Sequence, residues 1–138
     1  MTIDYVDEPI APQDSFKRAL LSVRDRKKLT PTFLALLRFH CEAPDHTTTA
    51  AEMAEALGLA NLAAANLQFG KLAHLIADEL EFKPENRSDG KPMWWRTLAS
   101  GRSVSSDSPD GQFEFVMRPE LVDALVQMKW VKTAAPVT

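Results

Sequence analysis

The chain holds a single cysteine, Cys41, among 138 residues. That excludes an internal disulfide framework and any cysteine-rich zinc module. No apolar stretch approaches the ~18 residues that a membrane span needs, and the acidic opening residues do not read as a signal peptide. An excess of positive charge is missing too, since 16 Lys and Arg face 19 Asp and Glu. Motifs for hydrolytic or phosphate chemistry are equally scarce. The serines between Ser100 and Ser108 have neither a Gly-x-Ser-x-Gly elbow nor a histidine partner, and no Gly-x-x-x-x-Gly-Lys cradle occurs. His40, Cys41, Asp45 and His46 are the one cluster of metal-ligating types, and no second pair completes a tetrahedral site. Cys41 reads instead as a small buried hydrophobe. The expectation is a non-enzymatic chain without metal or cofactor, soluble and cytoplasmic, with no membrane association.

What remains is the composition of one globular domain, 45% hydrophobic and 25% charged. A net charge of −3 conceals a dipolar layout. Residues 1–15 hold Asp4, Asp7, Glu8 and Asp14 with no Lys or Arg. Residues 16–38 carry Lys17, Arg18, Arg24, Arg26, Lys27, Lys28 and Arg38 against Asp25 alone. Residues 47–82 reverse the sign, with five acids against Lys71. Placement of charge, rather than its sum, must decide whether a phosphate-binding face exists.

Pro9, Pro12 and the early acids mark residues 1–13 as an acidic flexible tail or extended arm. Asp14 or Ser15 can cap a helix from Phe16, whose stripe Phe16, Ala19, Leu20, Val23 has helical spacing. Thr30-Pro31 is a second helix start, and that helix ends before Pro44. Thr49-Ala-Ala-Glu52 fits a capping box opening a short helix that ends at Gly58. A longer helix then covers Leu62 to Leu80.

Met93 to Leu98 and Gln112 to Met117 are rich in strand formers. They predict a hairpin whose tip, residues 101–111, is made of turn residues and is mobile. Pro119 opens a last helix closed by Trp130, and residues 133–138 read as frayed.

The segment Thr49-Ala-Ala-Glu-Met-Ala-Glu-Ala-Leu-Gly-Leu59, followed by the longer helix and hairpin, resembles a winged helix-turn-helix domain. Ala54 supplies the small residue inside the first helix, Gly58 the turn, and Met53, Leu57 and Leu59 the flanking apolar positions. The resemblance covers about residues 47–118. It implies a mainly α fold with a small β-hairpin, extra N-terminal helices and a C-terminal helix, over residues 14–132. The run Ala65-Asn-Leu-Gln-Phe-Gly-Lys-Leu-Ala73, with Trp95 and Arg118-Pro-Glu-Leu121, more faintly resembles accessory domains that accompany HNH-type, modification-dependent restriction endonucleases. The chain departs from the winged-helix pattern at Ala63-Ala64-Ala65, where a β-branched residue or leucine is usual. Two registers follow. One buries Ala64 and Leu67; the other buries Ala65, Phe69 and Leu72, and is preferred because it continues to Ile76 and Leu80.

The preferred register turns Asn66 and Lys71 outward, with Gln68 and His74 the next candidates. Asn and Gln can pair with adenine edges in a major groove, and Lys or Arg reach guanine or phosphate. The candidate DNA-binding set is therefore Asn61, Asn66, Gln68 and Lys71, with Arg102 at the hairpin tip and Arg24, Arg26, Lys27 and Lys28 on phosphates. The expected partner is double-stranded DNA, plain or modified, with a homodimer as one assembly. The alternative is a small acidic adaptor that binds a nucleic-acid-handling protein, in the manner of phage-type inhibitors of host defence by restriction or CRISPR systems.

Overall fold

The computed structural model describes residues 4–5, 9–103 and 113–132. Its helix starts follow side-chain chemistry. The Thr30 hydroxyl accepts from the Phe33 amide at 3.0 Å, and Pro31 occupies the first turn of α2, Pro31–Glu42. At α3, Ala50–Leu57, both halves of a capping box are made: Thr49 Oγ1 accepts from the Glu52 amide, and Glu52 Oε1 accepts from the Thr49 amide. Gly58 ends α3 at φ 67°, a left-handed conformation that suits glycine. Asn61 then caps α4, Leu62–Leu80.

The opening helix differs from expectation. α1 spans Gln13–Asp25 with Pro12 at its cap, so neither Asp14 nor Ser15 starts it. The Ser15 and Phe16 amides donate to the Pro12 carbonyl at 3.0 and 3.3 Å, which brings Gln13 into the first turn. The Gln13 side-chain amide donates to Gln127 Oε1 of α5, Pro119–Gln127, at 2.8 Å. α1 packs against α4 and α5, while α2 and α3 cover the other side of α4.

Strands β1 (Asp4–Tyr5), β2 (Thr47–Thr49), β3 (Ala99–Ser103) and β4 (Phe113–Met117) form an antiparallel sheet in the order β1-β3-β4-β2. The molecule is thus mainly helical with a small sheet. Three expectations change here. Asp4–Tyr5 pair with Arg102 and Gly101, so this part of the arm belongs to the sheet. Residues 101–103 are strand rather than loop, and 104–111, the rest of the expected mobile tip, lie outside the described residues. Met93 to Leu98 is not a strand, because Trp94–Thr97 forms a 3₁₀ turn. Successive strand residues face opposite sides, whereas Trp94 and Trp95 both line one cleft. Tertiary packing has overridden their β propensity.

The preferred register of α4 is the one found. Ala65, Phe69, Leu72 and Ile76 are buried, and Leu67 is 56% exposed. Phe69 packs against Phe115 of β4 and His40 of α2. His40 is fully buried, with Nε2 on the Phe115 carbonyl at 2.8 Å and Nδ1 without a partner among the described residues. Among the described residues no helix is long and apolar enough to cross a membrane.

Two predictions follow from this core. Phe69→Ala should cost about 3–5 kcal/mol in urea unfolding, by transfer loss plus cavity. Burial lowers the His40 pKa to about 4 from 6.5, the Phe115 carbonyl opposing and nearby His46 adding to the effect. Between those values the unfolded chain binds a proton that the folded chain refuses, so stability falls as pH drops from 6.5 to about 4. The loss should reach about 3 kcal/mol at the lower end. His40→Gln, measured by urea midpoints at pH 7 and 4.5, should flatten that acid limb.

Candidate nucleic-acid interface

The nine candidate residues do not form one surface. Asn61 Oδ1 accepts from the Ala64 amide at 2.9 Å, so its oxygen caps α4. Asn66 and Lys71 are exposed on the outer face of α4, and Gln68 is half-buried beside them. Arg24, Arg26, Lys27 and Lys28 gather at the C-terminal end of α1. There Arg26 meets Glu79, near the far end of α4, at 2.5 Å, and Arg24 meets Asp25 at 3.0 Å. Thirteen residues separate Asn66 from Glu79, or about 20 Å of helix. The basic run therefore lies against the acidic end of α4, where cations complement the helix dipole. The Ser22 hydroxyl, and then Arg26, hold the Glu79 carboxyl below the ordinary carboxylate range despite partial burial. The backbone of Arg102 sits between Asp4 and Glu114 in the sheet.

A different group of residues surrounds Asn66. A cleft of about 780 Å³ opens between α4, the loop 85–93 and β4. Asn66 and Gly70 form its helix bank, and Arg87 and Lys91 stand on the loop bank. Its apolar lining is aromatic. Trp95 meets Phe113 and Phe115 edge to face at 5.3 and 5.4 Å, and Trp94 stacks on His74 of α4 at 3.8 Å. The aromatic contacts run on through Phe69 to His40, so the cleft wall is continuous with the core.

The loop bank is held by its own hydrogen bonds. The Arg87 amide donates to the Lys91 carbonyl at 2.8 Å, and Gly90 turns the chain at φ 83°. Asp89 accepts from the Lys91 amide at 2.9 Å and pairs with the Arg87 guanidinium. Those contacts, the Lys91 amide first, hold the Asp89 carboxyl below its usual range. In sequence this segment reads only as a helix stop. The Asp-Gly turn at Asp89-Gly90 between basic residues is the signal that could have singled it out.

The other potential chemistry does not assemble. Burial, with Glu42 adding, pushes the Cys41 thiol up to about 11, so little of the reactive thiolate forms. His46 Nδ1 lies 2.6 Å from the Cys41 carbonyl, and no three His, Cys, Asp or Glu among the described residues could hold a metal ion.

Gly101 sets the aromatic wall. A Cβ there would overlap Cε2 of Phe113 and lie 2.8 Å from Cη2 of Trp95. Gly101→Ala should therefore displace both rings and cost about 1–3 kcal/mol, as overpacking does. Near-UV circular dichroism and urea unfolding read the two effects separately. No family model, curated protein or solved structure matches the chain.

Proposed function

We propose that the chain is a non-enzymatic winged-helix module that binds duplex DNA through the outer face of α4. The supporting topology is α1-α2-β2-α3-α4-β3-β4, with β4 between β2 and β3 in the sheet. The observation that carries the reading is the pair Asn66 and Lys71, exposed on the helix after the Gly58 turn, with Arg87 and Lys91 exposed on the adjoining loop. Asn66 offers a donor and an acceptor to a base edge; the cations serve phosphates. Arg24 and Arg26 are assigned no direct role, since they lie at the end of α1 where Arg26 meets Glu79, about 20 Å along α4 from Asn66.

One observation favours the protein-binding alternative. Leu67 is the exposed large hydrophobic side chain of the described surface, and exposed Ala60 and Ala63 lie in the same stretch of chain. A nucleic-acid-handling protein, as in an inhibitor of a restriction or CRISPR system, could seat on such a patch.

A salt titration by fluorescence anisotropy separates the two. Asn66→Ala should cost about 1–3 kcal/mol on a preferred duplex and little on random duplex. Lys71→Ala should weaken all duplexes alike and reduce the salt slope by about one. Arg26→Ala should leave that slope unchanged. Absence of duplex affinity at low salt overturns the DNA reading and leaves the protein partner, whose complex Leu67→Asp would weaken.

A further inference from the structure

The cleft beside Asn66 has features that packing alone does not require. Gly70 occupies the interior of a 19-residue helix, where glycine costs about 1 kcal/mol relative to alanine. Close packing is not the reason, because a Cβ added at Gly70 meets nothing within 4 Å. The missing side chain instead leaves the helix bank of the cleft open, opposite the aromatic wall. Trp94 is half-buried, with its ring lying along this cleft and against His74. Asn66 lines the same space, and no described residue makes a hydrogen bond to its side chain.

We propose that this cleft receives one unstacked nucleobase of a DNA chain, an inference that rests on the DNA-binding reading above. A planar base suits a slot walled by indole and phenyl rings, because every base presents a π-face to stack. The Asn66 amide supplies the adjacent donor and acceptor that a base edge can pair with. A chain, rather than a free nucleotide, is indicated by the charge around the cleft. Arg87 and Lys91 line it on a loop braced by its own hydrogen bonds, and Lys71 is exposed on α4 one residue beyond Gly70, outside the lining. Cations spaced along loop and helix match the phosphates that precede and follow a base in a strand. The extruded base would lie next to the helix that contacts the groove, so duplex binding and base capture share one face.

The test uses the full chain and labelled oligonucleotides of one sequence: a paired duplex, the same duplex with a single-nucleotide bulge, and a single strand. Anisotropy should show about tenfold tighter binding of the bulged duplex than of the paired one, the scale of one base stacked on an aromatic ring. Gly70→Leu fills the cleft from a helical position with open space in front of it, so its melting temperature should match or exceed that of the parent. It should abolish the preference for the bulge, read as the ratio of bulged-duplex to paired-duplex affinity. Gly70→Ala leaves most of the space and should keep the preference. Equal affinity for bulged and paired duplexes, or a preference that survives in Gly70→Leu, overturns the inference while the DNA reading stands. Absence of binding to all three oligonucleotides overturns both. Tryptophan quenching by a free nucleoside monophosphate at concentrations as low as those of the oligonucleotides would overturn the assignment of the base to a chain.

Discussion

The contact of Phe69 with Phe115, 5.1 Å between ring centres, joins the helical layer to the sheet. Phe69 reaches the sheet from α4, and His40 tilts against it from α2 at 5.6 Å. The His40 bond to the Phe115 carbonyl then fixes α2 relative to β4. Once α4 is held at this point, its helical period decides the rest. Ala65, Leu72 and Ile76 must face inward, and Asn66, Leu67 and Lys71 must face outward. The cleft begins where this buried stripe ends, because Phe115 also touches Trp95 and Phe113. A substitution at Phe69 therefore acts on core and cleft together.

The helical part was legible because its signals are local. A hydroxyl at Thr30, a reciprocal pair at Thr49 and Glu52, and a glycine at 58 each act within four residues. The register of α4 was legible for a related reason: the stripe through Phe69 continues to Ile76, whereas the one through Leu67 does not. What escaped was non-local. β1 and β2 are two and three residues long and exist only by pairing with β3 and β4. Trp94 and Trp95 have strand propensity, yet facing one cleft needs a turn.

The candidate site divides along the same line. Asn66 and Lys71 stand outward as expected because helical period alone places them. Asn61 is a cap, and a cap looks like a base reader when only residue type is considered. The run Arg24 to Lys28 is the most basic stretch of the chain, yet the structure sets it against Glu79. Its charge offsets the acidic end of α4 and the dipole of that helix. Arg87 and Lys91 carry less charge in sequence, but the turn at Gly90 puts both on the rim of the cleft. Position relative to the cleft separates the two groups more than local density of charge does.

Two glycines bring the cleft's origin into view, and they act in opposite ways. Gly101 is required by contact, since the rings of Phe113 and Trp95 occupy the space a side chain would take. A Cβ at Gly70 would meet open space, and no contact among the described residues requires a glycine there. The first lets an aromatic wall form across a strand, and the second keeps the facing helix bank bare. Each gives up intrinsic propensity within its element, β for Gly101 and α for Gly70. For Gly101 the packing of two rings is the compensation visible within the fold. Gly70 has no such compensation among the described residues; under the proposal above, the base received by the cleft is what its bare bank serves.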